Sequence, residues 1–83
     1  MPVLPLSNLV SIFREALSLP SNVDVVTLEY HTVPQWDSVG HMQLIANIES
    51  AMDIMLDTTD VLDMSSFSKA IEILGSYDVS FEP

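Results

Sequence analysis

The sequence predicts a small all-α protein built as a bundle of three main helices and one short helix. Apolar residues recur at three- and four-residue steps in the segments that would form the main helices, and no proline interrupts residues 38–75. At 83 residues, the chain has the length of one domain. We therefore expect a single domain over residues 1–83, with a helical core over about 6–75 and a loosely held tail over 76–83.

The first helix is predicted to begin near Ser7, a residue type that caps helix N-termini, and to end before Pro20. Its apolar stripe consists of Leu9, Ile12, Phe13, Ala16 and Leu17. A long connection follows, from Leu19 to Asp37. Within it, residues 25–27 have the composition of a strand, but no partner strand is apparent, and a lone strand leaves its backbone unsatisfied. We expect a loop whose apolar side chains reach the core.

The second helix should begin at Asp37-Ser38 and carry an apolar stripe of Leu44, Ile45, Ile48 and Met52. A short third helix is expected from about Thr58 to Met64, capped by Asp57 or Thr58. The last helix should begin at Ser65 or Ser66 and end at Gly75. Its inward-facing residues are Phe67, Ala70, Ile71 and Leu74.

The charge balance narrows the range of partners. Twelve acidic residues face two basic ones, which gives a formal net charge of -10. Such a surface repels nucleic acid and anionic membranes and attracts partners with basic docking surfaces. The chain has no cysteine, so disulfides and thiolate metal sites are excluded. The start of the sequence lacks the basic residues of a signal peptide, and we expect a cytoplasmic monomer.

No set of residues predicts catalysis or a metal site. His31 falls in the long connection and His41 on the second helix, and each is expected to be a surface or partly packed histidine. Together with Asp37 they fit no compact ligand motif. The acidic cluster does not match the calcium-loop pattern and is expected to be a solvated face, with weak divalent-ion binding left open; it consists of Asp53, Asp57, Asp60 and Asp63. We therefore predict that the protein is not an enzyme.

One local feature stands out, the sequence Trp36-Asp37-Ser38-Val39 at the start of a predicted helix. Asp and Ser at such a place usually mean capping. Ser38 also follows a long loop, so its hydroxyl should be exposed. The dipole and free amides of a helix N-terminus favour a phosphate there.

The sequence around Ser38 and beyond it resembles the acyl carrier protein family. The resemblance rests on an ordered series of motifs: Asp37-Ser38-Val39, Leu44-Ile45, Ile48-Glu49, Met52-Asp53-Ile54, Asp57-Thr58-Thr59-Asp60 and Ser65-Ser66-Phe67-Ser68-Lys69-Ala70-Ile71. The spacing runs from Leu17 to Leu74 without a gap, about seven-tenths of the chain. A lone Asp-Ser pair is weak, whereas this series at fixed spacing is specific.

The resemblance implies a four-helix bundle whose Ser38 is esterified by 4′-phosphopantetheine. A phosphopantetheinyl transferase adds this group from coenzyme A with magnesium, and Asp37 resembles the family residue that helps the transferase dock. The thiol that carries the acyl group then belongs to the cofactor. Acyl-loading and acyl-transfer enzymes are the other implied partners. The alternatives are an aminoacyl or peptidyl carrier protein and a helical interaction module that is never modified.

The resemblance also implies a docking strip and an interior that opens for the acyl chain. The docking residues would be Val39, Met42, Ile45 and Glu49. The acyl pocket would be lined by Ile48, Met52, Ile54, Leu62 and Phe67, which are first of all expected to be core. Val39 replaces the usual Leu, and Gly40 and Gln43 stand where fatty-acid carriers often have acidic residues. These departures argue against charge-matched docking to the usual fatty-acid enzymes. The stretch Trp36-Asp37-Ser38-Val39-Gly40-His41-Met42 looks more like stand-alone carriers of specialised pathways.

Overall fold

The computed structural model describes residues 3–82, so Met1, Pro2 and Pro83, which the predicted domain included, lie outside the described residues. The elements follow one another along the chain as β1 (Val3–Pro5), α1 (Leu6–Ala16), a 3-10 turn (Val25–Thr27), α2 (Ser38–Met52), α3 (Thr58–Asp63), α4 (Phe67–Gly75) and β2 (Ser80–Glu82). The prediction of a small helical protein with three main helices and one short helix is confirmed for this part of the chain.

Short polar residues start two of the helices at the predicted places. Asp37 precedes α2, and its Oδ1 accepts a hydrogen bond from the amide of Gly40 at 2.8 Å. Ser66 precedes α4, and its Oγ accepts from the amide of Lys69 at 3.0 Å. Each bond satisfies an amide that the helix cannot pair internally. α1 begins at Leu6, one residue before the predicted Ser7, because the extended backbone of Pro5 leads directly into it.

Three aromatic side chains hold the centre of the core together. The ring of Phe13 on α1 meets the rings of Trp36 and Phe67 edge to face, with centroids 5.4 and 5.0 Å apart. None of the three is exposed to solvent. The core thus joins α1, the residue before the α2 cap and the first residue of α4.

The long connection between α1 and α2 is fastened to the start of α4. The amide of Tyr30 donates to the carbonyl of Ser65 at 2.8 Å, and the amide of Phe67 donates to the carbonyl of Leu28 at 3.0 Å. Val25 and Leu28 are buried. The prediction of a loop with apolar residues in the core is therefore confirmed, although one turn of it is 3-10 helix rather than irregular.

The two ends of the described chain pair with each other, which corrects the prediction of a purely all-α fold. β2 runs parallel to β1, with Val3 opposite Ser80 and Pro5 opposite Glu82. Val79, just before β2, is only 2% exposed. The structure also differs from the expected loose tail over 76–83, because residues 76–82 are held by this pairing and by a buried side chain. Among the described residues, no helix has the length and apolar character needed to cross a bilayer.

Candidate functional site

Ser38 lies at the surface as the first residue of α2. Because the first amides of a helix have no carbonyl in the preceding turn, those of Ser38 and Val39 point out of the helix end. The first turn of α2 contains no acidic residue. The exposed hydroxyl therefore lies beside outward amides that suit a phosphate ester, with the carboxylate of Asp37 as its immediate neighbour.

Asp37 is exposed next to Ser38, and it has a structural task there. Its Oδ1 is the acceptor that caps α2 through the amide of Gly40. Its carbonyl accepts from the amide of His41 at 2.8 Å. Any contact that Asp37 makes with a transferase would thus come from a carboxylate whose position is fixed by the helix it begins.

Gly40 brings the loop close to α2. A Cβ on Gly40 would overlap the backbone carbonyl of Gln35 and lie 3.0 Å from a methyl group of Leu17. Real side chains do not approach a backbone atom so closely, so this position accepts only glycine without a shift. The glycine that the sequence marked as a departure from fatty-acid carriers is explained by this packing.

His41 connects three parts of the fold through its ring. Nδ1 accepts a hydrogen bond from the indole Nε1 of Trp36 at 3.0 Å, and Nε2 lies 2.7 Å from the carbonyl oxygen of Val61 on α3. The ring of Tyr30 meets the imidazole edge to face, with centroids 5.4 Å apart. As expected, His41 is partly buried and His31 is exposed. No spacing rule links a loop indole to a helical imidazole, so this network could not be predicted from the sequence.

A small pocket of about 110 Å³ opens beside His41, between the long connection, α2 and α3. Its lining residues are Tyr30, His41, Leu62, Met64 and Ser65. His41 follows Ser38 by three residues, and residues with that spacing share one face of a helix. The pocket therefore lies near the candidate attachment residue, on the α3 side of α2.

The predicted docking strip is only partly at the surface. Val39 and Met42 are 78% and 59% exposed, but Ile45 is a buried core residue. Glu49 is half-buried, and its Oε2 accepts from the amide of Leu56 at 2.8 Å, which shapes the loop before α3. The structure thus leaves Val39 and Met42 available to a partner and gives Ile45 and Glu49 structural positions.

The residues predicted to line an acyl pocket differ in their burial. Ile48 and Phe67 are fully buried, and Met52 and Ile54 are half-buried around the core. Leu62, which was expected in the core, is 77% exposed on α3. A helix of six residues offers less than two turns, so its apolar residues need not all face inward.

Two residues of the acidic cluster, Asp57 and Asp60, form hydrogen bonds with Tyr77, and this contact is called the Tyr77 clasp. The hydroxyl of Tyr77 donates to Oδ2 of Asp60 at 2.6 Å and accepts from the amide of Asp57 at 3.0 Å. Donation to Asp60 raises the pKa of Tyr77 above its ordinary value. Across residues 3–82, no three His, Cys, Asp or Glu side chains converge in a way that could hold a metal ion.

Comparison with protein-family models, with curated proteins and with solved structures found no match for this chain. The resemblance to acyl carrier proteins therefore rests on the residues of the sequence alone. What the structure adds is the surroundings of those residues, above all of Ser38.

Proposed function

We propose that this protein is a carrier that holds acyl groups as thioesters on a 4′-phosphopantetheine arm attached to Ser38 and presents them to partner enzymes. The observation that supports this best is the exposed position of Ser38 at the start of α2. The proposal includes an acyl-carrier-like four-helix bundle, a cytoplasmic monomer and no catalysis by the chain itself. It also places the carrier in a specialised biosynthetic pathway.

The residues around Ser38 fit such an arm. A phosphodiester on the Ser38 hydroxyl would meet the outward amides of α2, and Oδ1 of Asp37 already accepts a hydrogen bond from the Gly40 amide. When bound, the arm supplies a flexible tether that ends in a thiol. The chain contains no cysteine, so no side chain would compete with that thiol for the acyl group.

The surface beside Ser38 supports docking by partner enzymes. Val39 and Met42 place exposed apolar side chains within one turn of the attachment residue, and exposed apolar groups next to a functional residue favour contact with a partner. The net charge of -10 would steer partners with basic surfaces toward the chain. The proposed partners are a phosphopantetheinyl transferase and the enzymes that load and unload the acyl group.

Intact-mass analysis after coexpression with a broad-specificity phosphopantetheinyl transferase tests the proposal. We expect a gain of one phosphopantetheine that disappears in Ser38→Ala. Ser7→Ala is the matched control, since Ser7 is another exposed serine in the first turn of a helix, and this variant should be modified like the wild type. Absence of the gain with several transferases would overturn the proposal.

A helical interaction module that is never modified is the second candidate. It is favoured by the exposure of Val39, Met42 and Leu62, which would serve a partner equally well without an arm. The same mass measurement separates the two candidates. If the arm is present, thioesters captured from the native host distinguish acyl from aminoacyl or peptidyl cargo.

A further inference from the structure

The side chain of His41 joins α2 to α3 near Ser38. His41 is one helical turn beyond Ser38 on the same face of α2. Its Nε2 contacts the carbonyl oxygen of Val61 at 2.7 Å, and its Nδ1 accepts a hydrogen bond from Trp36 at 3.0 Å. A group that enters between α2 and α3 where this ring lies would have to break both contacts.

The space behind His41 is occupied. Leu44, Ile48 and Phe67 have no solvent exposure, and the ring of Phe67 packs on Phe13 with centroids 5.0 Å apart. Protein interiors are packed about as densely as organic crystals, so a long chain enters only if such side chains move. Leu62, which a chain-binding interior was expected to include, lies at the surface instead.

The pocket in front of His41 is small and has a mixed lining. Its volume is about 110 Å³. An apolar cavity of about 150 Å³ accepts benzene, so this pocket has room for roughly four non-hydrogen atoms. Tyr30 and Ser65, which carry hydroxyl groups, are among the lining residues, together with the apolar Leu62 and Met64. Hydroxyls beside apolar side chains suit a short group with a polar substituent.

We propose that His41 selects the cargo by keeping the core closed, so that the group carried at Ser38 is a short acyl group with a hydroxyl or amino substituent, held in the pocket of Tyr30, His41, Leu62, Met64 and Ser65. This inference rests on the proposed carrier function. In this view, His41 determines specificity through the contacts that it makes. These contacts exclude long alkyl chains from the interior.

The test compares chain lengths in the wild type and in His41→Ala. Saturated acyl groups from acetyl to dodecanoyl are loaded from acyl coenzyme A by the transferase, and Tm is measured for each product. We expect the Tm of the wild type to stop rising beyond butanoyl. In His41→Ala it should keep rising with length, since each methylene that becomes buried shifts the folding equilibrium roughly fourfold. Progressive stabilisation of the wild type by the longer chains would overturn the inference.

The expected preference for a hydroxyl or amino substituent is tested by a second comparison of acyl groups. Hydroxypropanoyl and aminopropanoyl groups, which have as many non-hydrogen atoms as butanoyl, should raise the Tm of the wild type more than butanoyl does, and Tyr30→Phe should reduce that difference. If butanoyl stabilises the wild type as much as these two groups, the assignment of a polar cargo is wrong. Gln43→Ala is the matched control for His41→Ala, because Gln43 lies two residues further along α2 and is exposed; it should behave as the wild type.

A second experiment does not depend on the transferase. The chain has no cysteine, so the new thiol of Ser38→Cys can form a mixed disulfide at one place with ethyl, butyl, octyl and dodecyl methanethiosulfonates, which release methanesulfinate. The same dependence on His41 is expected, and its absence would overturn the inference. Failure of enzymatic loading alone would instead overturn the carrier function. If His41→Ala does not fold, His41→Gln replaces it in both experiments. This variant has a more flexible side chain in place of the ring.

Discussion

The indole nitrogen of Trp36 donates a hydrogen bond to Nδ1 of His41, and the two rings lie nearly parallel at 18°. Because Nδ1 is the acceptor, the arrangement requires a neutral imidazole with its proton on Nε2, the nitrogen that faces the carbonyl of Val61. The side chain of His41, in this one tautomer, thus holds Trp36, α2 and α3 in position relative to one another.

The two rings should be energetically coupled. Trp36→Phe removes the donor from a fully buried position and should lower the free energy of unfolding by at least about 1 kcal/mol. In a double-mutant cycle with His41→Ala, the losses should fall short of additivity by about 0.5–3 kcal/mol, because either change alone breaks the same bond. Urea denaturation of the four proteins measures this. Additive losses would mean that the bond contributes nothing to stability.

The two glycines should respond in opposite ways to alanine. At Gly40 the new Cβ meets the carbonyl of Gln35 and the Leu17 side chain, so Gly40→Ala should cost about 1–3 kcal/mol in spite of the better helix propensity of alanine. At Gly75 a Cβ meets nothing within 4 Å, and Gly75→Ala should be neutral or stabilising by up to about 1 kcal/mol. Thermal unfolding of both variants tests the pair; equal effects would contradict the close approach at Gly40.

Variants of Asp37 should separate capping from recognition by the transferase. Asp37→Ala loses the bond to the Gly40 amide and should destabilise the protein by about 1 kcal/mol. Asp37→Asn keeps a cap of similar strength without the charge, so its stability should stay near that of the wild type. If the charge serves docking, both variants slow the modification of Ser38. A normal rate in Asp37→Asn would leave Asp37 with the capping role alone.

The Tyr77 clasp predicts a loss of stability at alkaline pH. The pKa of Tyr77 is raised in the folded protein because its hydroxyl donates to Asp60. The unfolded chain therefore releases this proton first, at about pH 10. The stability from the clasp is fully present below that pH and is lost as the pH rises through the higher folded-state pKa.

Urea denaturation from pH 8 upward would show this effect. We expect Tyr77→Phe to be less stable than the wild type at neutral pH and to lose less stability above about pH 10. Asp60→Asn, which keeps an acceptor but removes the charge, is the companion variant and should also flatten the profile. Parallel profiles for the wild type and Tyr77→Phe would contradict the clasp.

Local sequence signals were sufficient where a single residue starts a helix. The starts of α2 and α4 follow from the capping side chains of Asp37 and Ser66, which act within three residues of their own positions. The loop around Val25 could be predicted because a single strand without a partner is unfavourable.

The features that the sequence did not predict depend on residues far apart in the chain. The strand pair joins Val3 to Ser80, and neither segment alone carries a strand signal of useful length. The exposure of Leu62 depends on how α3 is oriented, which apolar spacing leaves open in a six-residue helix. The contact of His41 with Val61 likewise spans 20 positions.

The parallel pairing of β1 and β2 gives the fold a mechanical property. Val3 lies opposite Ser80 and Pro5 opposite Glu82, so a force that draws residues 3 and 82 apart pulls the two strands along their length in opposite directions. Their hydrogen bonds then bear the load together, in shear, whereas a hairpin peeled from its open end loses them one at a time. Tension applied across residues 3 and 82 would thus be resisted at the strand pair before it could unwind α1 or α4.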